Sequence, residues 1–257
     1  MKREEYDAVI LAGAKNNGAL KEASSASYEA LIRVLGRPMI DYVIEALAAC
    51  SRIKRILVVG PGEELVPEVR KKVNRVLEGG SSIVENIKRG IEALKTEDKV
   101  LIITSDIPLI TPTAISEFLT MARDREADIV YPIIAREENE RQFPGKKRTY
   151  IRVREGSFTG GNIFLFDPLI IRDHYQTTDK VISCRKKPLQ MSSILGFFFL
   201  IRFFFGLLTL SDIEKKLYKA LGIKGKAIIV PNSVIGFDVD KPEDLEVVEG
   251  ILNKNNN

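Results

Sequence analysis

Asp7 to Lys21 reads Asp-Ala-Val-Ile-Leu-Ala-Gly-Ala-Lys-Asn-Asn-Gly-Ala-Leu-Lys, and this stretch decides the fold. Ala8 to Leu11 is a short apolar run without polar alternation, the pattern of a central strand covered on both faces. It breaks at once into a loop holding Gly13, Lys15, Asn16, Asn17, Gly18 and Lys21. Such a loop brings bare backbone N–H groups and ammonium charge up to an anion of the polyphosphate kind. The carboxyl end of a parallel strand is also where open α/β sheets bind their ligands. The alternative is a plain surface turn after a buried strand, and the rest of the chain has to separate the two.

Outward from that loop, apolar runs and helical patterns alternate. Met39 to Ala49 carries Ile40, Val43, Ile44 and Leu47 at amphipathic spacing, with Pro38 ahead of it. Ile53 to Gly60 predicts a second strand. Leu65 to Leu77 predicts a helix with Arg70, Lys71, Lys72 and Arg75 outside, then a turn at Gly79 to Ser82 and a helix over Ile83 to Leu94. Lys99 to Thr104 is a third buried strand, and Thr111-Pro112 opens the next helix. Asp128 to Ile134 and Ile163 to Phe166 follow as strands, Tyr150 to Arg154 alternates like an edge strand, and 135–148 reads as charged and irregular. Ala227 to Val230 is the last strand, with a helix to about Leu252 behind it. Strands alternating with helices give an α/β protein with a mostly parallel sheet and right-handed crossovers. The expectation is a three-layer α/β/α Rossmann-like core in one domain, 1–257, with 170–225 as a helical insertion or lid.

Composition narrows the function classes. The chain has 257 residues, 45% of them hydrophobic, and a net charge of +4 that is not gathered into long runs. Nucleic acid is therefore not the expected partner, and an anionic small substrate explains the excess equally well. One histidine, His174, and two distant cysteines, Cys50 and Cys184, argue against a structural zinc site and a histidine-based triad. The charged N-terminus does not read as a signal peptide, so a reducing cytoplasm is the expected setting. Residues 194–210 stand apart, with six of the twelve phenylalanines. As one helix they would span about 25 Å, short of the ~30 Å hydrocarbon layer, and Arg202 sits near their middle. That leaves a helix packed on the core, a dimer contact, or a peripheral membrane contact with Arg185, Lys186 and Lys187 nearby.

Two acidic points carry candidate chemistry. Asp106 follows a buried strand, and Asp238 and Asp240 precede the C-terminal helix. Brought to one sheet edge beside Gly13, they make a hard-cation site of the kind Mg²⁺ accepts. A helix cap for Asp240 and a turn-forming role for Asp106 are the alternatives. Gly13 and Gly18 have Walker A spacing, but Ala19-Leu20 stands where Lys-Ser/Thr is required, and Lys15 breaks the dinucleotide fingerprint G-x-G-x-x-G.

Ala-Val-Ile-Leu-Ala-Gly (8–13), Gly-Arg-Pro-Met-Ile (36–40), Thr-Ser-Asp-Ile-Pro-Leu (104–109), Thr-Gly-Gly-Asn-Ile (159–163) and Asp-Val-Asp-Lys-Pro-Glu-Asp-Leu (238–245) occur in this order. Together they resemble the nucleotidyltransferase superfamily of the molybdenum-cofactor cytidylyl/guanylyltransferase and sugar-1-phosphate uridylyltransferase type. The resemblance implies a Mg²⁺ enzyme that joins a nucleoside triphosphate to a phosphorylated acceptor and releases pyrophosphate. It implies that Leu11, Ala12, Gly13, Ala14, Lys15 and Ser105 hold the nucleotide, with Ser81, Ser82 and Asn86 at the base. It gives Asp106 and Lys21 catalytic roles, and gives the metal to Asp106 with Asp240 or Asp238. Thr159, Gly160, Gly161 and Asn162 would meet the acceptor. Lys147 and Arg148, with Lys146 and Arg152, would anchor its phosphate or else form a solvated basic loop. Three positions depart from the pattern: Ala14 replaces a glycine, no arginine lies between Lys15 and Leu20, and Glu29 replaces a lysine, so Lys15 or Lys21 must take over its charge. Those departures motivate an alternative, a non-catalytic nucleotide-binding module that engages a partner or membrane through the Phe-rich helix.

Overall fold

The computed structural model describes residues 4–123, 126–146, 148–170 and 196–255. The chain opens with β1 (Tyr6–Leu11), then a small hairpin of β2 (Arg33–Val34) and β3 (Arg37–Pro38) feeding α1 (Met39–Ala49). Leu35 and Gly36 turn that hairpin with φ of 48° and 80°, the left-handed pair that a two-residue loop needs. Then come β4 (Ile53–Gly60), α2 (Gly62–Val69), β5 (Arg75–Glu78), α3 (Ile83–Leu94), β6 (Val100–Thr104) and α4 (Pro112–Ala122). The second half holds β7 (Ile129–Ala135), α5 (Arg136–Gln142), β8 (Ile151–Val153), β9 (Gly156–Gly160) and β10 (Ile163–Phe166). It closes with α6 (Phe197–Phe204), α7 (Leu210–Leu221), β11 (Gly225–Ile229) and α8 (Pro242–Asn255).

The strands form one nine-stranded sheet in the order β5-β4-β1-β6-β10-β7-β9-β8, with β11 also on β7. β5, β4, β1 and β6 run parallel, so their carboxyl ends share one edge. β9 and β10 run antiparallel along successive parts of β7, and the strand-to-strand break at Gly161-Asn162 falls at the end of β6. Both faces of β1 are buried, as its unalternating run requires. Ala8 and Ile10 join one apolar cluster with α1, α4 and Val248 of α8, while Val9 joins a second with α3. A sheet sandwiched in this way is the expected three-layer α/β/α fold. The packing is close: a Cβ on Gly90 of α3 would lie 2.6 Å from Val9 Cγ1.

Three local expectations change. The helix expected over Leu65 to Leu77 ends at Val69, and Arg75 to Glu78 pair with β4 as a parallel edge strand. Asn74 makes the switch: its N–H donates to the Ile56 carbonyl at 2.9 Å and its side-chain oxygen accepts from Ile56 N–H at 2.7 Å. The stretch 135–148 is not wholly irregular, because α5 forms on Arg136–Glu140 and Arg141–Glu138 pairs rather than on an apolar stripe. The Phe-rich segment is not one long helix. α6 has eight residues, set between Gly196 (φ 90°) and Gly206 (φ 65°), and a Thr209–Asp212 capping box then starts α7. Ile194, Leu195, His174, Cys184 and Arg185 to Lys187 lie outside the described residues. Among the described residues no helix is long and apolar enough to cross a membrane.

Candidate active site

The shared carboxyl edge gathers the loops after β1, β4, β5 and β6. Ala12 N–H still donates to Val59 at 2.8 Å, and Ser105 N–H donates to Leu11 at 3.2 Å, so the chain leaves the sheet only at Gly13 and Asp106. Glycine is needed close by. A Cβ on Gly60 would sit 2.8 Å from the Ala12 carbonyl oxygen, and one on Gly13 would sit 3.1 Å from Asn86 Nδ2. Asn86 Oδ1 in turn accepts from Gly80 N–H at 2.6 Å, which ties the 79–86 turn to the Gly13 loop. Within that turn Ser82 caps α3, and the Ser81 backbone N–H and hydroxyl both donate to Glu85, whose carboxyl those two bonds and then Arg89 hold down at about 2.

The Gly13 loop is held by Asn16, a buried side chain whose amide donates to the Ser24 and Ala26 carbonyls at 2.9 and 3.0 Å. The loop then folds back so that Glu29 N–H donates to the Ala14 carbonyl at 3.0 Å. Lys15 and Lys21 are exposed, and neither pairs with a described carboxylate. Gly18 has nothing within 4 Å of the Cβ position, so no packing demand explains it.

Asp106 and the 238–240 segment, more than 130 positions apart in sequence, are spliced together by one backbone bond from Val239 N–H to the Asp106 carbonyl, 2.9 Å long. The Asp106 carboxyl is pushed up by burial first and also by the charge of Asp240, while the Thr104 hydroxyl, donating at 2.5 Å, pulls the other way. Glu29 belongs to the same cluster: burial, then Asp106 and Asp240, push its carboxyl up to about 7. Sequence reasoning treated Glu29 only as a missing lysine, and nothing local in its neighbours signals a third carboxylate here.

The two aspartates of the last motif have different surroundings. Asp238 is engaged by Arg148, which also donates to the Gly236 carbonyl. Asp240 lies two residues ahead of α8 and its carboxylate accepts no hydrogen bond from a described residue, so it is not the helix cap. Its N–H donates to Asp244 Oδ2 at 3.1 Å. Asp244 is buried and pairs with Lys146 at 3.2 Å, and Lys146 Nζ also donates to the Asp238 carbonyl at 2.5 Å and lies 3.6 Å over the Phe237 ring. Lys146 and Arg148 therefore brace the acidic segment from behind, and burial pulls both cations' pKa values down. Asp244 was the residue missed; its signal was an acid in the third helical position, which reaches back over the helix start. Lys147 lies outside the described residues.

Thr159 is buried in β9, and the spaces beside Gly160 and Gly161 are filled by the Tyr131 hydroxyl and by Ile235 and Pro132. Asn162 takes Thr104 N–H on its carbonyl at 3.1 Å, and its side-chain nitrogen is buried with no hydrogen-bond partner among the described residues. Among the described residues no three His, Cys, Asp or Glu side chains are set at metal-ligand spacing. Mg²⁺ asks for less, one or two carboxylates with waters and phosphate oxygens, and Asp106 and Asp240 are two carboxylates near enough for each other's charge to be felt. A groove of about 700 Å³ lined by Tyr42, Ala46, Leu109, Phe143 and Leu252 lies elsewhere and touches none of these residues.

A family model described as the MobA-like NTP transferase domain matches residues 8–182, more than half of the chain. The chain belongs to the MobA-like NTP transferase family. It thus falls in the nucleotidyltransferase superfamily that the five motifs resemble. A structure described as a hypothetical transferase from Thermus thermophilus shares 34% identity at a TM-score of 0.82, covering 94% of this chain and 99% of that one. The bifunctional protein GlmU of Syntrophomonas wolfei is 30% identical over 126 residues, 48% of this chain. That of Caldanaerobacter subterraneus is 35% identical over 112 residues, 42% of this chain. The matches span only 27% and 23% of those two relatives. A CMP-2-keto-3-deoxy-manno-octonic acid synthetase with CTP, at 15% identity and a TM-score of 0.66 over 98% of this chain and 99% of that one, shares the fold of this MobA-like chain.

Proposed function

We propose that the chain transfers a nucleotidyl group from a nucleoside triphosphate to a phosphorylated small-molecule acceptor, releases pyrophosphate and uses Mg²⁺. The observation that carries this reading is the splice of Asp106 to Asp240 beside the Gly13 loop. Asp106 and Asp240 would hold the cation, and Asp238 would not, because Arg148 occupies it. When bound, Mg²⁺ supplies positive charge to the phosphate oxygens. The residues do the rest. Backbone N–H groups of Gly13, Ala14 and Lys15, with the unpaired ammonium groups of Lys15 and Lys21, neutralise the triphosphate and the departing pyrophosphate. Gly80, Ser81, Ser82 and Asn86 frame the base. Thr159 to Asn162, with Asn162 Nδ2 as donor, border the acceptor, whose phosphate oxygen attacks the α-phosphorus in line. No protein nucleophile is needed. Lys147 is kept as an acceptor contact, and Arg148 acts mainly by fixing Asp238.

Residues 1–257 form one domain in this reading, with 170–225 as an insertion, and the buried free thiol of Cys50 suits a reducing cytoplasm. The test is pyrophosphate release from each triphosphate with a panel of phosphorylated acceptors. Turnover that Asp106→Ala abolishes supports the reading, and turnover unchanged in that variant removes Asp106 from it. Glu29 favours a second reading, a nucleotide-binding module without turnover, because it sets a third carboxyl, rather than a cation, in the Asp106–Asp240 cluster. That reading predicts saturable nucleotide binding and no pyrophosphate with any acceptor.

A further inference from the structure

Tyr131 belongs to none of the five motifs, yet the structure seats it against the stretch that borders the acceptor. A Cβ on Gly160 would lie 1.8 Å from the Tyr131 hydroxyl oxygen and 2.8 Å from its Cζ. Gly160 has no positive φ, so space for the phenol, and not backbone conformation, is what calls for glycine there. The next glycine faces the other way, with Ile235 and Pro132 at the Cβ position of Gly161.

Alternation along β7 puts Tyr131 on the face it shares with Ile129 and Ile133. Ile129 packs on the apolar cluster built with α3, and Ile133 on the one that includes Leu210 and Ile213 of α7. Asn86 of α3 reaches the Gly13 loop, so Tyr131 lies on the side of the sheet from which the base is framed. Its side chain joins neither cluster. It is 37% exposed and stands beside Phe164, with ring centroids 6.4 Å apart and planes tilted by 43°. An apolar ring with a polar tip, left partly open beside a ligand stretch, suits a binding wall.

We propose that Tyr131 is a specificity-determining residue for the acceptor. Its hydroxyl bonds an uncharged hydroxyl on the acceptor's body, and its ring, with Phe164, lies against the carbon skeleton. Neither side chain can neutralise a phosphate, so the pair reads the part of the acceptor that the cations do not. A site built to bond a hydroxyl rejects the analogue that lacks it, which separates acceptors carrying the same phosphate. The inference rests on the proposed reaction and on residues 159–162 bordering the acceptor.

The experiment is steady-state pyrophosphate release with a panel of acceptors that includes glucose 1-phosphate, glycerol 3-phosphate and the hydroxyl-free ethyl phosphate. Tyr131→Phe removes one oxygen and keeps the ring beside Phe164. For the hydroxylated acceptor that turns over best, its KM is expected to rise about 3- to 10-fold, the loss of one neutral hydrogen bond. The triphosphate KM, the Tm and the kinetics with ethyl phosphate should stay unchanged. Tyr131→Leu, which removes the ring as well, should raise the acceptor KM further. A purely structural tyrosine would move the Tm and leave the acceptor KM where it was. An unchanged acceptor KM in Tyr131→Phe, an equal rise with ethyl phosphate, or a wild-type preference for ethyl phosphate overturns the assignment and leaves the reaction standing. No wild-type turnover with any acceptor of the panel removes the reaction, and this role with it.

Discussion

Lys146→Met tests whether the acidic segment is braced from behind. The lysine side chain is 6% exposed, and its ammonium lies 3.2 Å from Asp244 Oδ1 and 2.5 Å from the Asp238 carbonyl, over the Phe237 ring. Methionine keeps the stem and most of the volume, so little cavity is created, and what disappears is the charge. Asp244, 4% exposed, is then left with the Asp240 N–H as its one described hydrogen-bond donor. Removing one partner of a buried ion pair costs about 3–5 kcal/mol, mostly because the other charge is stranded. For a chain of this size each kcal/mol lowers Tm by about 2–4 °C, giving a fall of roughly 6–20 °C. Urea unfolding followed by circular dichroism measures the loss as a shift in midpoint at constant slope. Asp244→Asn removes the stranded charge, so the double variant should be less destabilised than the sum of the singles, with a coupling of about 0.5–3 kcal/mol. A Lys146→Met loss under about 1 kcal/mol, or strict additivity with Asp244→Asn, refutes the brace.

Gly60→Ala places its Cβ 2.8 Å from both the Ala12 carbonyl oxygen and Leu65 Cδ1, so it should cost about 1–3 kcal/mol and weaken nucleotide binding by shifting the Gly13 loop. Gly18→Ala, with open space around it, should stay within about 0.5 kcal/mol, and equal effects at the two positions would contradict the geometry. Glu29 gives a pH signature in metal-free protein. Pushed up to about 7, its folded pKa lies above the ordinary glutamate value of 4.5, so the fold holds the extra proton and wild-type stability falls as pH rises from 4.5 through 7. Glu29→Gln should therefore raise Tm relative to wild type at pH 8 and hardly at pH 4.5; an advantage independent of pH would show that the three carboxylates are not coupled.

Much of the fold lay open in local pattern. Ala8 to Leu11 is apolar at consecutive positions because both faces of β1 are covered, and Ile83 to Leu94 carries its buried residues at helical spacing. Arg75 to Glu78 misled because Val69, Val73 and Val76 continue the helical interval, while the decision was made by Asn74 bonding sideways to Ile56, a contact with no trace in spacing. α5 escaped because its stability is ionic and its one buried side chain is polar, Asn139. At the site, Gly13, Asp106 and Asp240 were legible one by one. Which of Asp238 and Asp240 is free was not, since it depends on where Arg148 lands. Glu29 enters the cluster only through the fold-back of the loop onto Ala14.

The central claim is that Asp106 and Asp240 grip one cation beside a bound triphosphate. Mn²⁺ is a spectroscopic stand-in for Mg²⁺, and its electron paramagnetic resonance titration with a non-hydrolysable triphosphate measures that grip without turnover. The account predicts one tightly held ion per chain, with affinity reduced at least about tenfold by Asp106→Asn and by Asp240→Asn but far less by Asp238→Asn. Equal affinity in wild type, Asp106→Asn and Asp240→Asn would contradict it.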